Sequence, residues 1–247
     1  MTEHSADYGL EAALRRYSLR RGGAEPGVIR AVLFDMDGIL YDSMPHHALA
    51  WYRMCRENDI PADPDEFFMY EGRTGASTIN ILYRRAFGRD ATDDEITRLY
   101  RRKTELFSAM PPVAAMPGAA ETLACCMERG VRRVLVTGSG QSSLLSRLDT
   151  DYPGAFIDGM RITAHDVIHG KPDPEPFLKG MERACCCPAE CIAVDNAPLG
   201  VESASRSGAF TIGVRTGPVP AGALLSAGAD IELSSMYECA EILARLL

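Results

Sequence analysis

Ala31-Val32-Leu33-Phe34-Asp35-Met36-Asp37-Gly38-Ile39-Leu40-Tyr41-Asp42-Ser43 decides how the chain is read. With Val28 and Ile29, the residues Val32, Leu33 and Phe34 make an apolar run too short for a helix, which predicts a buried strand of a parallel sheet. Asp35 and Asp37 come where that strand stops, and open α/β sheets bind ligands at the carboxyl ends of their strands. Gly38 lets the backbone turn sharply just beyond. Two acids at spacing two on a rigid strand end can divide labour, one as nucleophile and metal ligand, the other as proton donor and acceptor. The same Asp-x-Asp-Gly pattern is also ordinary turn chemistry, in which short polar side chains bond their own backbone. The stretch alone leaves both readings open.

Outward from it, the pattern changes character. Residues 45–58, 64–70, 75–87 and 92–108 carry helical spacing with no convincing strand among them, and Pro111-Pro112 and Pro117-Gly118 bracket a boundary. From 118 onward helix and strand alternate. Helices are expected at 118–129, 141–148, 174–184, 198–207 and 236–246, and strands at 131–137, 191–195, 210–214 and 229–232, with a weak one in 155–163. This alternation predicts an α/β fold, a doubly wound parallel sheet with an inserted α-helical cap. The expected organisation is an N-terminal helical arm over 1–27, a catalytic core from 28–43 and 113–247, and a helical cap over 44–112. In the arm, Leu10, Ala13, Leu14 and Tyr17 fall at helical spacing before Gly22-Gly23, so it could dock on the core or hang loosely.

Bulk properties exclude several classes. The 247 residues are 46% hydrophobic and 24% charged, enough for a real core, with a formal charge of −8. That balance argues against a nucleic-acid surface, and Arg84-Arg85 and Arg101-Arg102-Lys103 read as solvated helix faces. No apolar run approaches the roughly 20 residues of a membrane span. The start lacks the basic and apolar segments of a signal peptide, so no membrane partner and a cytoplasmic location are expected. A monomer is expected too. Eight cysteines occur without a Cys-x-x-Cys pair, and reduced thiols filling small apolar spaces are expected.

Three further points carry chemistry. Thr137 ends the strand Val134-Leu135-Val136, and Gly138 and Gly140 follow, so a hydroxyl and backbone N–H groups can cradle a phosphate; Ser143 stands where a dinucleotide fingerprint needs its third glycine. Lys171, between Gly170 and Pro172 just before a helix, is a restrained ammonium that can neutralise a phosphate or a carboxylate. Asp195 closes another apolar strand, and Asp35 with Asp195 could give Mg²⁺ the carboxylate pair it prefers; a helix cap at Asp195 and a turn residue at Asn196 are the plain alternatives.

Acid pair, hydroxyl, lysine and acid, in that order and all at strand ends, resemble the motifs of the haloacid dehalogenase superfamily, in the helical-cap branch close to the β-phosphoglucomutase-like group. The resemblance spans about 28–232. It implies a Mg²⁺-dependent phosphotransferase in which Asp35 attacks phosphorus to form an aspartyl-phosphate and Asp37 protonates the leaving oxygen and then activates the acceptor. It further implies that Asp37 binds the metal through its backbone carbonyl, that Thr137 and Lys171 hold phosphoryl oxygens, and that Asp195 completes the metal site. The family often has two adjacent acids in its last motif, where this chain has Asp195 and Asn196. Ser43 and His47 match a hydroxyl and a histidine at the hinge of cap-bearing members. The mutases place an arginine in the cap loop and a lysine after motif two; here those places are Gly75 and Gly140, with Arg73 two positions earlier as a substitute. The expected activity is hydrolysis of a small phosphorylated metabolite such as a sugar phosphate. A sugar-phosphate mutase and a non-catalytic phospholigand-binding protein are the alternatives.

Overall fold

The computed structural model describes residues 3–139 and 142–247. Its centre is a parallel sheet of six strands in the order β3-β2-β1-β4-β5-β6. The elements run α1 (Glu3–Arg20), β1 (Ala31–Phe34), α2 (Met44–Glu57), α3 (Gly75–Phe87), α4 (Asp93–Ser108), α5 (Ala119–Glu128) and β2 (Arg132–Val136). They continue α6 (Ser142–Leu145), α7 (Leu148–Asp151), β3 (Arg161–Ile162), α8 (Glu175–Arg183), β4 (Cys191–Asp195), α9 (Pro198–Ser207), β5 (Phe210–Val214), α10 (Ala223–Ser226), β6 (Ile231–Leu233) and α11 (Met236–Leu246).

Alternate side chains of a strand leave opposite faces. Val32 and Phe34 of β1 enter one apolar cluster with Leu135, Leu123 and Leu243, while Ala31 and Leu33 enter another with Phe177, Met181 and Ala204. Both faces are thus covered, which is why the strand reads as an unbroken apolar run. β1 pairs with β2 on one side, from Ala31 opposite Arg132 to Phe34 opposite Leu135, and with β4 on the other. The crossovers leave in opposite directions from this central strand, so a crevice opens at its carboxyl end.

The arm is docked. Tyr17 is fully buried against Phe210 at 5.8 Å between ring centroids, and Arg20 donates to the carbonyls of Ser205 at 2.7 Å and Ala209 at 2.9 Å and pairs with Asp230 at 2.6 Å. Between β1 and β2, α2, α3 and α4 pack with a 3₁₀ turn (Pro64–Phe68) around their own core of Met54, Phe67, Ile79, Leu82 and Leu99. Thr92 caps α4 in a reciprocal box with Glu95, and α3 ends at Gly88 in the left-handed conformation that glycine adopts freely.

Some expectations need correction. β1 begins at Ala31, and Val28 is 84% exposed: the residues that accept the Gly27 and Arg30 amides, Ala189 and Glu190, belong to a 3₁₀ turn (Pro188–Glu190), which offers no strand to pair with. The single helix expected over 141–148 is two short helices, α6 and α7, with Arg147 in the turn between them. Within Arg101-Arg102-Lys103, the two arginines face solvent and pair with glutamates, but Lys103 is buried. All eight cysteines are free thiols, with Cys55, Cys126, Cys191 and Cys239 buried and Cys185 and Cys187 exposed.

Candidate active site

Parallel strands deliver their carboxyl ends to one edge of the sheet. Asp35 follows β1 directly, Thr137 follows β2, and Asp195 is the last residue of β4. Lys171 comes from the segment between β3 and α8 and places its ammonium between two of these acids, 2.6 Å from Asp35 Oδ1 and 2.7 Å from Asp195 Oδ2. All three side chains are buried. Asp195 Oδ1 accepts the Ala197 amide at 2.9 Å, and Gly200 stands where any Cβ would strike the Asp195 carboxylate. Thr137 and Gly138 line the same cavity as Asp35 and Asp37.

Burial pushes the Asp35 carboxyl up from the usual range; the Lys171 ammonium opposes this, and the Asp195 and Asp37 charges reinforce it. For Lys171, burial works to remove the proton, but the Asp195 and Asp35 carboxylates outweigh it and the ammonium is held more firmly than in water. One cation between two buried carboxylates thus lets like charges share a dry site.

Asp37 sits in a second cluster. Its Oδ1 accepts Ser43 Oγ at 2.5 Å and lies 2.9 Å from His47 Nε2, whose Nδ1 in turn lies 2.6 Å from Lys103 Nζ. An ionised carboxylate can only accept, so Nε2–H points at Asp37 and leaves Nδ1 to accept from Lys103. Burial would raise the Asp37 carboxyl, but His47 and Ser43 more than offset it and the group lies below its ordinary value. Burial, then the Lys103 charge, lowers His47, with the Asp37 charge and hydrogen bond opposing. Lys103 is itself pulled down to about 7 by burial, with Asp37 opposing. Lys103 escaped the sequence reading, although a signal existed. Leu99, Lys103 and Phe107 recur every four residues and are the buried positions of α4, so the lysine lies on the apolar stripe that packs inward.

The cap reaches into the site through Glu71, Gly72 and Arg73. Glu71 is buried and accepts Asn196 Nδ2 at 3.0 Å. Burial, then the Asp35 charge, raises its carboxyl well above the ordinary range, with the Asn196 hydrogen bond opposing. The sequence reading missed it, since nothing local distinguishes a loop glutamate that crosses to the core. Gly72 has φ +84°, and a Cβ on Gly138 would come within 2.5 Å of the Gly72 carbonyl, so glycine at both places lets the two backbones meet. Arg73 lines the cavity, donates to Ser77 Oγ at 3.3 Å, and keeps its Nε buried without a partner. Gly75 also lines it, with the Tyr100 ring 2.2 Å from where its Cβ would be; Gly140 lies outside the described residues. The chain thus brings together Asp35, Asp37, Thr137, Gly138, Lys171, Asp195, Asn196, Ser43, His47 and Arg73.

No group of three or more His, Cys, Asp or Glu assembles as a metal site among the described residues. Mg²⁺ asks for less, one or two carboxylates with further oxygen donors. Asp35 and Asp195 are such a pair, and Asn196, the residue after Asp195, keeps a buried Oδ1 without a hydrogen-bond partner. A buried orphan acceptor one residue along from such a carboxylate suits a hard cation, so the residues fit this metal.

Residues 29–208 match the family model described as haloacid dehalogenase-like hydrolase. Among solved structures, the "Putative beta-phosphoglucomutase from Bacteroides vulgatus" superposes with a TM-score of 0.90 at 43% identity, covering 95% of this chain and 96% of that one. The β-phosphoglucomutase of Bacillus subtilis (strain 168) is 28% identical over 220 residues, 85% of this chain and 95% of its own. The phosphorylated carbohydrates phosphatase of Thermotoga maritima is 29% identical over 220 residues, 89% of this chain and 100% of its own. Fold, strand-end residues and these likenesses agree, and the chain belongs to the haloacid dehalogenase-like hydrolases, in their β-phosphoglucomutase-like branch.

Proposed function

We propose that the protein hydrolyses a small phosphorylated metabolite, a sugar phosphate foremost, through an aspartyl-phosphate on Asp35 with Mg²⁺ as cofactor. The carrying observation is the buried Lys171 bridge between Asp35 and Asp195, at 2.6 Å and 2.7 Å. The names of the relatives, a phosphoglucomutase and a carbohydrate phosphatase, support the substrate class. Asp35, Asp195, the Asn196 amide oxygen and the main-chain carbonyl of Asp37 would hold the metal. When bound, Mg²⁺ supplies positive charge against the phosphoryl oxygens.

The residues themselves divide the work. With Oδ1 engaged by Lys171, the other Asp35 oxygen attacks phosphorus. As that bond forms, the bond from phosphorus to the leaving oxygen breaks, and Asp37 passes that oxygen a proton. An arriving phosphate raises the proton affinity of Asp37 by like-charge repulsion, so Asp37 takes a proton from solvent and turns from a resting base into an acid. Asp37 then takes a proton from water, whose oxygen attacks the acyl phosphate, frees inorganic phosphate and restores Asp35; that proton is returned to solvent as phosphate leaves. Ser43 and His47 aim Asp37, with Lys103 donating to the other nitrogen of the histidine. The Thr137 hydroxyl and Lys171 hold the transferring oxygens, since phosphoryl transfer asks mainly for position and charge.

A mutase must grip a second, non-reacting phosphate. At Gly75 the space a side chain would need is filled by Tyr100, so the cap-loop arginine of the mutases has no room there. Arg73 lines the cavity beside Glu71 and Gly72 and suits selection of a substrate's polar end. Phosphate release from a panel of sugar phosphates and other esters tests the reading. Release that requires Mg²⁺, stops with EDTA and needs no bisphosphate primer is expected. No release from any ester, or isomerised product formed only with a primer, would overturn it.

A further inference from the structure

Two linkers join core to cap, one through Tyr41 to Ser43 and one through residues 111–116. They pair with each other: Asp42 N donates to the Ala114 carbonyl at 3.0 Å, Met116 N to the Leu40 carbonyl at 2.9 Å, and Tyr41 bridges Ala115 in antiparallel fashion. A core side chain grips both. Arg147, in the turn between α6 and α7, donates through Nη1 to the Val113 carbonyl at 3.0 Å and lays its guanidinium 5.3 Å from the centroid of the Tyr41 ring. Its Nη2 pairs with Asp151 Oδ2 at 2.8 Å, and that oxygen also accepts the Tyr41 hydroxyl at 3.0 Å. Tyr152 completes the arrangement, edge-on to Tyr41 at 5.7 Å and donating its hydroxyl to the Leu40 carbonyl.

The geometry points to Arg147, Asp151 and Tyr41 as a clasp that fixes the two linkers on the core and so positions Asp37 for proton transfer. The route is short. The Tyr41 carbonyl accepts the Gly38 amide at 2.7 Å, and two residues beyond Tyr41 the Ser43 hydroxyl donates to Asp37. Only Tyr41 is fully buried; Arg147 and Asp151 keep side-chain exposures of 35% and 24%, so the ion pair alone would add little by way of fold stability. What it supplies is register: a fork that holds a carbonyl of one linker and a ring of the other cannot be satisfied if the linkers slide. These are positioning residues, since none touches the reacting atoms. The effect on turnover rests on the hydrolase reading given above; the effect on the linkers does not.

Arg147→Met and Tyr41→Phe test this, singly and together, by amide hydrogen exchange and by turnover of p-nitrophenyl phosphate with Mg²⁺. In Arg147→Met, exchange at the Asp42 and Met116 amides is expected to quicken about tenfold while the β4 and β5 amides keep their rates. kcat is expected to fall about tenfold, and Tyr41→Phe to add little in the Arg147→Met background, as for two members of one unit. Tyr41→Phe removes only a hydroxyl and guards against a variant that fails to fold. Unchanged exchange at the linkers, equal acceleration throughout the sheet, or multiplying losses in the double variant would overturn the clasp. Should the wild type turn over no ester, the functional reading fails and the exchange rates alone decide on the clasp.

Discussion

Asp35→Asn is expected to lose kcat by at least about 10⁴-fold, the scale on which removal of a nucleophile usually registers. The amide has the shape of the carboxylate but cannot form an acyl phosphate. Lys171 keeps its 2.7 Å partner in Asp195, so no cation is stranded. One of the neighbouring buried carboxyl groups loses its charge, and burial, Asp195 and Asp37 all raise the proton affinity of Asp35. The thermal midpoint should therefore hold or rise. Steady-state phosphate release beside a melting curve checks both halves. Retention of more than about one per cent of wild-type turnover would remove Asp35 from its role.

Lys171→Met should injure both activity and fold. A phosphoryl group loses a fixed positive charge aimed at its oxygens, a loss worth about 10²- to 10³-fold in kcat. Asp35 and Asp195 are left buried without their shared cation, and breaking such a pair typically costs about 3–5 kcal/mol. For a chain of this size that is a fall in Tm of about 10 °C. The pH dependence has a definite sign. The wild-type ammonium, whose proton is held more firmly in the fold than in the unfolded chain, contributes fully at every pH below its unfolded value of about 10.4. In the variant, orphaned carboxyls bind protons more readily folded than unfolded, so stability recovers as pH falls through their raised values toward about 4. The gap in Tm between wild type and variant should thus narrow from neutral to mildly acid pH. A constant or widening gap would mean that Lys171 does not compensate those carboxylates.

Much of the fold was legible because the sheet is buried on both faces. Strands 191–195 and 210–214 and helices 75–87, 198–207 and 236–246 fall where continuous apolar runs, helical spacing and glycine stops predict them. Asp35, Thr137 and Asp195 were legible for a related reason, since a polar residue ending an apolar strand stands out against its surroundings, and Lys171 because it stands between Gly170 and Pro172 just before a helix. Val28 misled because an apolar residue in a leader to a strand carries no sign of where pairing starts, and the structure leaves it exposed. Lys103 was obscured by its neighbours Arg101 and Arg102, which made a charge run out of three residues that point to different sides of α4. Glu71 and Arg147 were beyond local reading. Their partners, Asn196 and the Val113 carbonyl, lie 125 and 34 residues away, and only the docking of cap on core defines them.

Trapping the phosphoryl group tests the account at its centre. The protein is mixed with Mg²⁺ and its best ester from the panel, quenched in acid within one turnover, digested, and read by mass spectrometry. The phosphoryl mass should sit on Asp35 in the peptide spanning 31–43, and be absent from Asp35→Asn. A phosphoryl group on any other residue, or steady release of phosphate with Asp35 unmodified, would contradict the account.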